Sequence, residues 1–546
     1  MTADRTPQLP RRTFLKVSAG CAVALGAGRS RAAQETGREG LLVGQPQAAQ
    51  TAARVMAEGG NAVDASVAAA LVSGVVAVQM CGIGGYGGHL VVGTPGGKAT
   101  AIDFNSAAPA AAREDMYPLD KQGHVRGAVN QYGWLAAGVP GTLAGLQLAL
   151  DRFGTQPLSK LIEPAIRFAR DGFVVNAGLA RAIRGAAAQL ERDPASARLF
   201  FTSGKPLTEG DTFRNPDLAA LLERLAKDNS VAAFYRGPIA AQIAHEFQTH
   251  GGLVTEQDLA SYEARQLEPV KLEWRGHSIQ TAPLTAGGTS VLQALATLKA
   301  LGWDQMDPAD PHSLHARVEA LRLAWHDRLT LMGDPRASEV PVARLLSSDH
   351  AGAAADRVRR AVAESHLIPS STDGRSAGGT IHLSACDQKG MMVALTLTHG
   401  EGFGARVTVD GLGLILGHGM SRFEPRPGHP NSPRASSRPL NNMCPTLVVR
   451  DGVPVVALGA TGGRRIPNTL YDVLVNLIGR GASLADAGAA PRMHTEGSAT
   501  LQLAKGWPER DVKYLKQVGY AIEPGNGANL NGISCDAMSG KLSSVP

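Results

Sequence analysis

Small and apolar residues recur at helical spacing from residue 45 to residue 78, interrupted only by Gly59-Gly60-Asn61. This pattern predicts two packed helices, the glycine pair ending the first and Asn61 capping the second. The glycine-rich run Cys81-Gly-Ile-Gly-Gly-Tyr-Gly-Gly88 follows, leading into strand-like residues 89–93 and 99–103. Gly82, Gly84 and Gly87 satisfy G-x-G-x-x-G, and Asp103 stands at about the distance of a ribose-binding acid. A dinucleotide loop runs from strand to helix, whereas this one runs from helix to strand, so it reads as a tight turn.

Helical patterns dominate residues 138–360, most clearly at 141–153, 161–170, 218–227, 238–250 and 312–331. Between them, 270–281 alternates like one strand and 283–288 reads as a turn. From 363 to 379 the chain turns polar and loses periodicity, making this its most linker-like stretch. Strand patterns resume at 380–385, 391–398, 446–450 and 454–459, with helices expected at 469–480 and 484–490. Strands early and late with helices between them predict a layered α+β domain whose sheets draw on both ends of the chain.

Composition adds little to this picture: 44% hydrophobic and 19% charged residues suit a globular protein. The 54 basic and 48 acidic side chains leave a net charge of +6, but they are interspersed. No basic stripe with interleaved aromatics occurs, so nucleic acid is not an expected partner. The first residues say more. Arg11-Arg12-Thr-Phe-Leu-Lys16 precedes an apolar stretch at 17–28 and Ser30-Arg31-Ala32. That order predicts a twin-arginine export signal over residues 1–32 and a periplasmic destination. No later run approaches the roughly 18 apolar residues of a membrane span, so no membrane association is expected. Cys81, Cys386, Cys444 and Cys535 lack the spacing of a zinc site or a disulfide framework. Neither a metal nor a cofactor is expected.

Candidate chemistry lies at the end of the polar stretch, where Gly378-Gly379 runs directly into Thr380 at the start of a strand. Cleavage between Gly379 and Thr380 would place a free α-amine beside the threonine hydroxyl, giving nucleophile and base in one residue. Before cleavage the same hydroxyl can attack the Gly379 carbonyl. An ordinary loop-to-strand junction would explain the same residues.

A set of short motifs bears on that choice. After the junction come Thr380-Ile-His-Leu-Ser384, Leu395-Thr-Leu-Thr398, Arg438-Pro-Leu440, Pro445-Thr446 and Gly459-Ala-Thr-Gly-Gly463. Before it come Gly59-Gly60-Asn-Ala-Val-Asp64, Val139-Pro-Gly-Thr142, Gly252-Leu-Val-Thr255, and Asp327-Arg328 ahead of Gly333-Asp334-Pro335. In order and together, from about residue 40 to 540, they resemble the γ-glutamyltranspeptidase (glutathione hydrolase) family of N-terminal-nucleophile hydrolases. The resemblance implies a four-layer αββα sandwich and an enzyme that opens small-molecule amides. It also implies self-cleavage of one composite domain, residues 33–546, into a large subunit, 33–379, and a small subunit, 380–546, that stay together as a heterodimer. Thr380 would be the nucleophile and Thr398 its supporting hydroxyl. Gly462 and Gly463 would donate backbone N–H groups to the oxyanion.

The substrate-recognition positions depart from the family pattern. Asn105 stands where an arginine is usual, Gly400 where an asparagine is, Gly419 and Arg422 where a glutamine and an aspartate are, and Asn441-Asn442 where two serines are. At 422 the sign of the charge is reversed, which disfavours an α-ammonium and favours a carboxylate. The expected enzyme therefore favours hydrolysis, with an acyl donor other than plain γ-glutamyl. Acylase-like or oxamate amidohydrolase-like activity, a true γ-glutamyltransferase with an altered pocket, an exported redox protein and a non-catalytic binding protein are the alternatives.

Overall fold

A computed structural model describes residues 33–37, 40–369, 379–536 and 541–545. The expected export segment and Gly378 lie outside the described residues. Thirteen strands form two large sheets: β1 (Ala33–Gly37), β2 (Gly40–Gly44), β3 (Gly87–Gly93), β4 (Thr100–Asn105), β5 (Arg265–Leu267), β6 (Val270–Trp274), β7 (His277–Thr281), β8 (Gly379–Asp387), β9 (Met392–Gly400), β10 (Thr446–Arg450), β11 (Val453–Thr461), β12 (Asn529–Cys535) and β13 (Leu542–Val545). The first sheet runs β1-β2-β8-β9-β3-β4-β5 and the second β6-β7-β10-β11-β12-β13, with every neighbouring pair antiparallel.

The period-two alternation of strands explains how four layers arise. On β8, Ile381, Leu383 and Ala385 join the core that the first sheet shares with α1 (Pro46–Ala57), α2 (Ala62–Val76), α3 (Thr142–Phe153) and α4 (Leu158–Asp171). Cys386 faces the other way and packs with Leu447, Ala457 and Ile533 of the second sheet. The outer face of that second sheet is covered by α5 (Gly288–Leu301), α6 (Pro311–Leu331), α7 (Ser348–Ala363) and α8 (Arg465–Leu474). The architecture is the expected αββα sandwich.

Strand order ties the two halves of the chain together. β8 pairs with β2, β9 with β3, and β10 with β7. A buried ion pair crosses the same divide: Asp103 Oδ2 lies 2.7 Å from Arg438 Nη1, both side chains being almost fully inaccessible. Asp103 thus holds a guanidinium rather than a ribose.

Two local expectations need correction. Residues 270–281 form the hairpin β6–β7, because Arg275 (φ 49) and Gly276 (φ 72) supply the two positive φ angles of a tight turn. The helix expected at 469–480 starts at Arg465, since Pro467 falls in the first turn and forfeits no helical hydrogen bond, and it ends in a π-helical turn at Val475–Gly479. Among the described residues no helix is long and apolar enough to cross a membrane.

Candidate active site

The polar residues of β8 and β9 alternate with the apolar ones, so Thr380, His382, Ser384, Thr396 and Thr398 face the space between the sheets. All five are buried. His382 bridges Thr396 Oγ1 at 2.7 Å and Ser384 Oγ at 3.1 Å, and burial pulls its pKa down to about 3, leaving the ring neutral. A Cβ on Gly459 of β11 would fall 2.2 Å from that ring, so the two sheets approach closely there. Moving up β11 from Ala457, which packs on Cys386, to Gly459, beside His382, means moving down β8 toward Thr380. Gly462 and Gly463 therefore lie at the Thr380 end of the sandwich. Both have positive φ (149 and 61), and neither N–H donates to an acceptor among the described residues.

At that end the pairing of β8 and β9 is irregular. Gly379 faces Gly400 and Thr380 faces Thr398, so His399 is the extra residue of a β-bulge. The bulge aims the Thr398 hydroxyl at the chain opposite. Thr398 Oγ1 donates to the Gly379 carbonyl, accepts the Gly400 N–H at 2.7 Å and contacts Thr380 Oγ1 at 3.1 Å. A hydroxyl has one proton to give and two lone pairs to receive with. With its proton on the Gly379 oxygen, Thr398 is the acceptor for Thr380, whose own lone pairs are left available. A hydroxyl, an acceptor for its proton and a hydrogen-bonded carbonyl are thus held together.

Beside this junction opens a cavity of about 190 Å³. Glu401, next to Gly400, and Arg464, next to the glycine pair, line it together with His418, Arg422, Asn442 and Arg328. Arg422 is half-buried and donates to the Gly400 carbonyl at 2.7 Å. Its Nη2 also lies 3.3 Å from His418 Nε2, while His418 Nδ1 lies 3.1 Å from the Gln131 carbonyl. These contacts fit a neutral imidazole with its proton on Nδ1, and burial followed by Arg422 holds the His418 pKa well below the usual value. Burial lowers the Arg422 pKa too, but a guanidinium starts so high that it stays charged.

The model of the gamma-glutamyltranspeptidase family matches residues 48–543. The chain belongs to that family. It is 35% identical to the glutathione hydrolase proenzyme of Escherichia coli (strain K12), over 87% of this chain and 84% of that one. The acylase ACY 1 proenzyme of Pseudomonas sp. (strain SE83) is 34% identical over 91% of this chain and 90% of its own length. Among solved structures, a cephalosporin acylase from Bacillus halodurans superposes with a TM-score of 0.84 at 25% identity, covering 97% of each chain. The chain is thus an N-terminal-nucleophile enzyme of the gamma-glutamyltranspeptidase type, related to both glutathione hydrolases and acylases.

Within this family frame, the positions that differ from the usual pattern divide into two groups. Arg422 and Asn442 line the cavity, and Gly400 receives Arg422 on its carbonyl. Gly400 has φ +97, and a Cβ there would meet His418 at 2.2 Å, so the imidazole occupies the space an asparagine side chain would need. Gly419 sits against Ser106 with equally little room. Asn105 and Asn441 lie deeper. The Asn105 amide donates to Thr285 Oγ1 at 2.8 Å and the Pro439 carbonyl at 2.7 Å, and the Asn441 amide donates to His89 Nε2 at 2.8 Å. Neither lines the cavity. Sequence reading placed Arg328 in a family motif without giving it a role in the site, and nothing local marks the bulged His399.

Were the Gly379–Thr380 bond cut by the Thr380 hydroxyl, this geometry would make the step depend on Thr398. Thr398→Val keeps the side-chain volume and removes both the proton given to the Gly379 carbonyl and the acceptor for Thr380. Loss of one such preorganised donor costs on the order of 10²-fold in rate. Following conversion of the full-length chain to two fragments on a denaturing gel should show that slowing, and conversion at the wild-type rate would remove Thr398 from the chemistry.

Proposed function

We propose that the chain is a self-processing acylase in which Thr380 first cuts the Gly379–Thr380 bond and then serves as the N-terminal nucleophile. The observation that carries this reading is the double engagement of Thr398, with the Thr380 hydroxyl and with the Gly379 carbonyl. In the first step Thr380 Oγ1 gives its proton toward Thr398 and adds to the Gly379 carbonyl carbon. The C–N bond then breaks, the Thr380 nitrogen leaves as an amine, and Gly379 is held as an ester. Water hydrolyses that ester and frees Thr380. The fragments stay together as a heterodimer because β8 and β9 remain paired with β2 and β3.

In the mature site the Thr380 amine takes the hydroxyl proton as the oxygen attacks the substrate amide. The open N–H groups of Gly462 and Gly463 receive the oxyanion, and preorganised donors of this kind lower a barrier by about 3 kcal/mol each. The leaving amine departs with a proton, and water resolves the Thr380 ester. The donor carries a carboxylate and no ammonium, because Arg422 stands in the cavity where an α-ammonium would need an acid. The chain is about as similar to an acylase as to glutathione hydrolases, so similarity admits both activities and Arg422 is what favours the acylase reading.

The export reading joins this proposal: Arg11 and Arg12 would direct the folded precursor to the periplasm. Replacing both with lysine should retain it in the cytoplasm, as cell fractionation would detect, and an unchanged periplasmic yield would exclude that route. Specificity is tested with γ-glutamyl and glutaryl anilides. The wild type should favour the glutaryl anilide in kcat/KM by on the order of 10², since a misplaced charge and an unpaired polar group each cost roughly 1–3 kcal/mol. Arg422→Asp should shift the preference back. A wild type that prefers the γ-glutamyl anilide would make the enzyme a glutathione hydrolase with a rearranged pocket.

A further inference from the structure

The cavity holds a second guanidinium whose hydrogen bonding is incomplete. Arg328, on α6, is 2% exposed. Its Nη2 donates to the Asn441 carbonyl and lies 3.4 Å from Asn442 Oδ1. Its Nη1, equally buried, has no hydrogen-bond partner. No described acid is among the groups that act on its charge: these are Cys444, Arg464 and Tyr86. Burial lowers the Arg328 pKa to about 10, so it remains cationic at neutral pH. The neighbours offer no counter-charge, because burial pushes the Cys444 thiol up to about 12 and the Tyr86 hydroxyl above its usual range.

The other charges of the cavity wall are already matched. Arg464 is bound to Glu496 at 2.6 Å, Glu424 is bound to Arg426, and Glu401 acts on Arg422. Arg422 also has Nη2 committed to the Gly400 carbonyl and His418. Among the described residues lining the cavity, Arg328 is therefore the cation without an anion, and its Nη1 has an N–H left to donate. A buried cationic donor without an acceptor is costly, and an arriving anion would remove that cost. Position 105 cannot supply the anion-binding group, since Asn105 is spent on Thr285 and Pro439.

We infer that Arg328 Nη1, flanked by the Asn442 amide, binds the free carboxylate of the acyl donor, and that the donor is the half-amide of a dicarboxylic acid. Arg422 then excludes an ammonium from the pocket while Arg328 holds the carboxylate. This rests on the acyl-transfer reading of Thr380, so its test isolates the carboxylate from the chemistry.

The test compares glutaryl anilide with its methyl ester, which keeps the length and removes the charge, on the matured enzyme. The wild type should favour the free acid in kcat/KM by tenfold or more. In Arg328→Met that ratio should fall by at least tenfold, the loss appearing in KM for the acid more than in kcat, and Arg328→Lys should recover part of it. Asn442→Asp supplies Arg328 with an internal counter-ion and should abolish the preference even where the Arg328 variants fail to fold. A ratio unchanged in Arg328→Met and Asn442→Asp, with both substrates slowed alike, would overturn the assignment and leave Arg328 a packing residue. A wild type that hydrolyses neither anilide would instead sink the acylase reading itself.

Discussion

One hydroxyl proton organises the candidate site. Thr398 gives its proton to the Gly379 carbonyl, so it must receive from both the Gly400 N–H and the Thr380 hydroxyl. Everything nearby serves that arrangement. The bulge at His399 lets Thr398 and Gly400 both face the Gly379–Thr380 junction, and the alternation of β8 and β9 turns the threonines toward the second sheet. The glycine pair after β11 reaches the same end because the sheets run past each other at His382 and Gly459.

The layout of the strands would reconcile the proposed chain cutting with a stable fold. A cut inside an ordinary strand would release an end. Here the strand that begins at the junction is central in its sheet, flanked by β2 from before the junction and by β9 from after it. The Asp103–Arg438 pair adds a second tie between the same two parts of the chain. Removing one member of a buried pair leaves the other uncompensated, a cost of about 3–5 kcal/mol.

Much of this was legible in the sequence because it is local. The paired helices around Asn61 and the strands on either side of residue 390 follow from periodicity and turn residues. The hairpin at Arg275-Gly276 was hidden because alternation continues through a two-residue turn. The relations on which the proposed specificity rests are not local. Gly400 lacks room for a side chain because of His418, eighteen residues away in sequence, and Asn105 turns to Thr285 and Pro439. Arg328 sits within a motif whose aspartates are matched, Asp327 by His350 and Asp334 by Arg265 and the Arg438 N–H. Only its position against Asn441 and Asn442 sets it apart.

The most direct test of the account is the covalent state of the purified protein, read by intact-mass spectrometry and N-terminal sequencing. The account predicts two chains, the smaller beginning Thr-Ile-His-Leu with a free Thr380 amine that becomes acylated when substrate is added, and a single uncut, inactive chain for Thr380→Ala. A wild type that is fully active while Gly379 and Thr380 remain joined would contradict it.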